Sequence, residues 1–167
     1  MRAALIIVFS LIMDILFGLF IGSWSYHLTF NITLFSIVAI IYVYRYFENN
    51  LKAYFIISFL VGILYDLAIT NTGVFTGLIY LAIAFITALV ASYFKPHYLV
   101  NIILVMINVT LYIVISYLFL TFYDLYLFNW WQLLFGILGS YLINLIYLTF
   151  LTIINPKKIN KNNYLKL

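Results

Sequence analysis

The chain has 167 residues, of which 68% are hydrophobic and only 7% are charged, and its mean hydropathy is +1.19. Soluble domains average about 45–50% apolar and about 25% charged residues, so this composition excludes a water-soluble fold. The sequence has no cysteine, which excludes disulfides, thiolate metal sites and cysteine nucleophiles. Its formal net charge is +4, but the basic residues flank apolar segments, a placement that argues against nucleic acid as a partner.

Six apolar stretches are long enough to cross a bilayer, which takes about 20 helical residues. They predict an all-α integral membrane protein, a bundle of six transmembrane helices within residues 1–156, followed by a short basic tail at 157–167. The first stretch has a signal peptide as its alternative, but the sequence around Trp24 is a poor cleavage site. The predicted helices cover residues 3–22, 28–44, 53–69, 74–94, 98–122 and 130–154.

The distribution of charge predicts the orientation of these helices. If the N-terminus is cytoplasmic, all 8 Lys and Arg residues fall on the cytoplasmic side of the six-helix arrangement. Lys and Arg in short loops stay on that side, so both termini are expected to be cytoplasmic. Trp130 and Trp131 then lie at the outer boundary, where amphipathic aromatic rings are favoured.

Two aspartates, Asp14 and Asp66, fall inside predicted helices. A carboxylate within a bilayer costs a few kcal/mol even on mild insertion scales, so each is expected to face protein or a water-filled cavity. The sequence offers no intramembrane Lys or Arg as a partner for either. Two interpretations stay open: a functional site, or a structural bond to a neighbouring helix.

Small and polar residues recur along single helix faces, mostly at a spacing of four. Small residues let membrane helices approach closely, and polar ones hydrogen-bond across the contact. The pattern predicts a packed bundle whose inner faces carry both aspartates. The faces are Asp14, Gly18 and Gly22; Ser58, Gly62 and Asp66; Gly73, Gly77, Tyr80, Ala84 and Ala91; Asn101, Asn108 and Tyr112; and Gly136, Ser140 and Asn144.

No motif in the sequence predicts an enzyme. Metal-ligand spacing, a P-loop and a nucleophile elbow are all missing from it, so we expect no catalytic residue, no metal and no cofactor. An intramembrane hydrolase built on Asp14 and Asp66 is a weak alternative, since paired carboxyl groups can perform acid–base chemistry. His27 and His97 fall at opposite membrane boundaries, which argues against a shared metal.

A short motif lies in the middle of the chain. Gly62 precedes Asp66 by one helical turn, Gly73 ends the polar loop that follows, and Gly77 lies in the next helix. This region resembles the signature of the MreD family of bacterial cell-shape proteins, as do the chain length, the six-helix count and the basic tail. Asp14 does not map onto a family motif, so its role stays open.

The resemblance implies a non-enzymatic scaffold in the bacterial cytoplasmic membrane. Its expected partner is MreC, within an elongation complex that includes MreB, RodA and a class B transpeptidase of peptidoglycan synthesis. The motif residues would shape the partner surface or a shallow pocket beneath it. The family also resembles substrate-binding subunits of energy-coupling-factor transporters, so a small-molecule-binding subunit is the alternative. A channel is disfavoured, because both aspartates fall in the outer half of the predicted bilayer.

Overall fold

The computed structural model describes residues 2–24, 33–70, 74–94, 98–123 and 129–154, with the side chains of 19–24 and 70 outside the description. Within these ranges the chain forms six α-helices and no strand. A 3-10 turn (Tyr44–Tyr46) continues the second helix, and a π-helical turn (Asp66–Thr70) continues the third. The helices are α1 (Arg2–Trp24), α2 (Phe35–Val43), α3 (Leu51–Tyr65), α4 (Phe75–Tyr93), α5 (Tyr98–Phe122) and α6 (Trp130–Ile154).

Four helices of the described chain are long and apolar enough to cross a membrane: α3 with its π-helical turn, α4, α5 and α6. Helices α5 and α6 have 25 residues each. At about 1.5 Å per residue each exceeds the thickness of the hydrocarbon core, about 30 Å. Large apolar side chains cover their exposed faces, as at Phe135 and Leu142. These observations confirm the predicted all-helical, membrane-type architecture.

Helix α2 differs from its prediction. The apolar stretch at 28–44 was expected to be helical throughout, but the helix begins at Phe35, and Thr33 and Leu34 before it are not helical. The prediction is wrong at those two residues, and residues 28–32 lie outside the described chain. With its 3-10 turn, the helix is about 18 Å long at about 1.5 Å per residue, much shorter than a bilayer core.

Helix α2 occupies the centre of the bundle. Every residue from 33 to 44 is buried, and the helix packs against α1, α4, α5 and α6. A helix that is apolar on all sides is typical of a position enclosed by other elements. The start of α2 therefore lies inside the protein.

The burial of α2 can be tested by enlarging one small side chain. Ala39 of α2 is fully buried, so Ala39→Leu is expected to destabilise the protein by about 1–3 kcal/mol through overpacking. Thermal unfolding in mild detergent measures the loss. The control is Ala4→Leu at an exposed position of α1, for which a change within about 0.5 kcal/mol is expected. Equal melting temperatures for the two variants would contradict the central position of α2.

Candidate functional site at the buried end of α2

The N-terminus of α2 creates an unusual demand for hydrogen bonds. The first four N–H groups of any helix have no partner within the helix. Here the first intrahelical bond runs from Val38 N to Leu34 O, at 3.1 Å. The N-cap residue is Leu34, whose apolar side chain offers no acceptor. Because this end of the helix is buried, acceptors must come from other helices.

Two side chains from α1 and α6 supply those acceptors. The carboxylate of Asp14 accepts a hydrogen bond from Phe35 N at Oδ1 and another from Ser36 N at Oδ2, both at 2.8 Å. The amide oxygen of Asn144 accepts from Leu34 N at 3.0 Å. Three of the four N–H groups are therefore capped in trans. Asp14 and Asn144 are 1% and 0% exposed, so bulk solvent does not reach these acceptors.

A layer of hydroxyl groups surrounds the Asp14 carboxylate. Ser36 Oγ donates to Asp14 Oδ2 at 2.5 Å and lies 2.7 Å from the hydroxyl oxygen of Tyr80. The Tyr80 ring packs against Tyr65 and Tyr112, with centroid distances of 5.7 and 6.3 Å. The polar cluster thus connects α1 and α2 to tyrosines of α3, α4 and α5.

Polar contacts also tie α6 to α1 and α2. Asn144 Nδ2 donates to Ser140 O of its own helix at 2.8 Å, which fixes the amide orientation that presents its oxygen to α2. Ser10 Oγ and the hydroxyl of Tyr147 lie 2.7 Å apart and join α1 to α6. Helices from both ends of the chain therefore hold the start of α2.

A second feature is the close contact between α3 and α4. A Cβ added to Gly62 would lie 2.7 Å from Gly77 Cα and 2.9 Å from Thr76 O, closer than real Cβ contacts allow. Only glycine at position 62 permits this approach of the two backbones. Asp66, one turn later, accepts a hydrogen bond from Thr76 Oγ1 at 3.2 Å. Gly62, Asp66 and Gly77 therefore close one seam between the two helices.

Asp66 also begins the π-helical turn that ends α3. Such turns are rare and occur frequently at functional sites. The side chain of Asp66 is 0% exposed, although Leu67 beside it is 70% exposed. Gly73, predicted to belong to this motif, lies outside the described residues.

The predicted inner faces are mostly confirmed. Asp14 and Asp66 are both buried, and so are the α3 and α6 faces that carry Gly62 and Asn144. The predicted inner face of α1 is wrong at Gly18. This residue is exposed, and an added Cβ there would meet nothing within 4 Å. Among the described residues, the contact that Asp14 makes with α2 therefore does not continue one turn later at Gly18.

The two asparagines of α5 contribute little to this cluster. Asn101 is half-buried and lies about 16 Å before Tyr112 along α5, at about 1.5 Å per residue. Asn108 is fully buried, and its Nδ2 lies 3.5 Å from Thr87 Oγ1, a long contact. Among the described residues its Oδ1 accepts no hydrogen bond, so this region is less completely paired than the surroundings of Asp14.

Sequence reasoning missed Ser36, Thr76 and Tyr147. Ser36 stands alone in an apolar run and has no partner at helical spacing, so nothing in the sequence indicates its bond to Asp14. Thr76 directly precedes Gly77 and could have been found by asking which donor the buried Asp66 requires.

An open groove of about 520 Å³ lies elsewhere, between α5 and α6. Its lining is largely apolar, and the hydroxyl groups of Thr110 and Tyr141 within it hydrogen-bond to each other. None of the residues around Asp14 or Asp66 lines this groove. In the described part of the chain, no three His, Cys, Asp or Glu side chains are grouped to hold a metal ion.

No family model matches the chain, and neither a curated protein nor a solved structure matches it.

The glycine seam makes a graded prediction. Gly62→Ala is expected to destabilise the protein by about 1–3 kcal/mol, because its Cβ would meet backbone atoms that cannot move aside. Gly77→Ala should cost less, since its Cβ would meet the ends of the Ile63 and Phe59 side chains, at 3.0 and 3.2 Å.

Thermal unfolding of the three variants Gly62→Ala, Gly77→Ala and Gly18→Ala in one detergent provides the measurement. Gly18→Ala is the matched control and should cause no loss of stability, because the site is open and alanine favours the helical conformation. A Gly62→Ala melting temperature equal to that of Gly18→Ala would contradict the seam.

Proposed function

We propose that this chain is a non-enzymatic, MreD-like scaffold that binds MreC and helps to position peptidoglycan synthases. MreB, RodA and a class B transpeptidase would belong to the same complex in the bacterial cytoplasmic membrane. The resemblance of the segment containing Gly62, Asp66, Gly73 and Gly77 to the MreD signature supports this assignment. The residues of that segment also have a mechanical role that suits a scaffold.

The α3–α4 seam is the observation that carries the proposal. The polar and small residues of the segment contact one another: Gly62 lies against Gly77, and Asp66 accepts from Thr76. The segment therefore fixes the shape of an outer surface formed by these two helices. The exposed sides of α3 and α4 present large apolar side chains, including Leu64 and Leu78, which are 53% and 55% exposed. Fixed apolar ridges suit a partner transmembrane helix, because van der Waals packing drives such association.

The Asp14 region favours a scaffold over a small-molecule-binding transport subunit. Both oxygens of the carboxylate accept hydrogen bonds from α2, and Asn144 is used in the same way. These interior polar groups hold the protein's own backbone. A substrate that bound here would have to break the N-terminal caps of α2.

The proposed topology crosses the membrane six times with both termini in the cytoplasm, and the short α2 covers only part of its crossing. Arg45 lies in the connection from α2 to α3, with its guanidinium carbon 3.9 Å from the ring centroid of Tyr42 and 5.0 Å from that of Tyr46. Cation–π contacts of this kind favour a membrane boundary, where an arginine head stays near water over an aromatic ring. The basic residues of the tail at 157–167 would lie on the same side.

Photo-crosslinking tests the proposal directly. A benzophenone amino acid replaces Leu64 or Leu78 on the α3–α4 surface, and Leu138 or Leu142 on α6 as controls of similar exposure (61% and 65%). In native membranes we expect the α3 and α4 positions to crosslink to MreC, and the α6 positions to yield far less. Mass spectrometry of the crosslinked bands identifies the partner.

One result would count against this function, and another would change its mechanism. Crosslinks to an ABC-type ATPase or to a coupling membrane subunit would make the chain a transport subunit. Crosslinks to MreC from α6 alone would keep the partner and remove the α3–α4 surface from the mechanism.

A further inference from the structure

The charge state of Asp14 follows from what its carboxylate touches. Four donors reach its two oxygens: Phe35 N, Ser36 N, Ser36 Oγ and the side-chain hydroxyl of Thr33. An ionised carboxylate only accepts hydrogen bonds, whereas a protonated one must also point an O–H at an acceptor. The arrangement therefore fits the anion, whose bonds to these donors are charge-assisted.

The countercharge is the end of a helix. The described basic side chains lie far from Asp14: Arg2 is about 18 Å away along α1 at about 1.5 Å per residue, and Arg45 and Lys52 follow the opposite end of α2. A helix N-terminus carries about half a positive charge on its free N–H groups. Asp14 binds two of those groups on α2 directly, so charge and hydrogen bonding act at the same atoms.

The surrounding hydroxyl groups have a defined direction. Ser36 gives its proton to Asp14, so its oxygen accepts from the Tyr80 hydroxyl. The negative charge of Asp14 interacts with the phenol groups of four tyrosines, one each from α3, α4, α5 and α6: Tyr65, Tyr80, Tyr112 and Tyr147.

Phenols ordinarily titrate near pH 10, so these four stay neutral at and below neutral pH. The other buried carboxyl group belongs to Asp66. Its charge interacts with the phenol of Tyr112, and it accepts a hydrogen bond from Thr76 of α4. Among the described residues, Asp14 is consequently the group at the start of α2 whose charge can change when the pH falls.

We propose that Asp14 is a charge-dependent latch that pins the buried start of α2 to α1. When the carboxylate is ionised, it holds both N–H groups and the Ser36 hydroxyl. When it takes up a proton, its bonds to the two N–H groups lose their charge assistance, the Ser36 hydroxyl must turn to accept the new O–H, and the first turn of α2 loosens from α1. The bond from Leu34 N to Asn144 carries no charge, so it keeps the helix in place while the latch opens.

Backbone hydrogen exchange of the full-length protein in nanodiscs tests the latch. In Asp14→Asn, exchange of the peptide covering Phe35 to Val38 should rise about tenfold relative to the unaltered protein. In the unaltered protein, lowering the pH should produce the same rise once the chemical exchange rate is corrected for. The Asp14→Asn variant should show no such pH dependence.

A matched variant separates the latch from a purely structural cap. Asn144→Ala removes the uncharged cap, so it should raise exchange at Leu34 while the acid response at Phe35 and Ser36 remains. Infrared spectra of protein labelled with ¹³C-aspartate provide a readout that needs no variant. We expect a carboxylate band that converts to the acid band over the same pH range in which exchange rises.

Two outcomes would overturn the proposal. One is an Asp14 band that stays in the acid form throughout the pH titration, and the other is exchange in α2 that stays constant as the Asp14 band titrates. If Asp14→Asn does not fold, the paired infrared and exchange titrations of the unaltered protein still decide the question.

Discussion

A helix that begins inside a protein cannot leave its first N–H groups without partners, and this constraint organises the bundle. Helix α2 begins at Phe35 among buried residues, and its N-cap residue has no acceptor to offer. An unsatisfied buried N–H costs about 1–3 kcal/mol, so three together would cost about 3–9 kcal/mol, a large part of the net stability of a typical domain, about 5–15 kcal/mol. Asp14 and Asn144 supply the missing acceptors and thereby fix α1 and α6 around α2.

The two aspartates meet the cost of burial in different ways. Asp14 bonds to the backbone of a neighbouring helix, where a helix end stabilises its negative charge. Asp66 accepts from a threonine hydroxyl across a seam that only glycine at position 62 allows to close. The first determines where a helix begins, and the second determines how closely two helices lie. Both interactions give polar residues a mechanical role, consistent with the scaffold that we propose.

Hydropathy predicted most of the helices because it measures how much apolar chain is available. The predicted ranges 98–122 and 130–154 agree with α5 and α6, and 74–94 differs from α4 by one residue at each end. Hydropathy failed at Thr33 and Leu34, which it predicted to be helical, because the start of α2 depends on residues more than twenty positions away. Burial of both aspartates was predictable from the cost of an exposed charge in lipid, but their partners were not. Ser36 carried no periodic signal, and Gly18 kept the right spacing at a position where an added Cβ would meet nothing within 4 Å.

The bond between Leu34 and Asn144 joins residues 110 positions apart, and this separation affects biogenesis. A ribosome delivers α1 and α2 to the insertion machinery long before it delivers α6. During that interval Asp14 can already cap α2, but Leu34 N must rely on water or on the insertion machinery. A nascent chain cut short before Asn144 would carry an incompletely capped segment, which membrane quality control could recognise. Synthesis of α6 would therefore also complete the capping of α2.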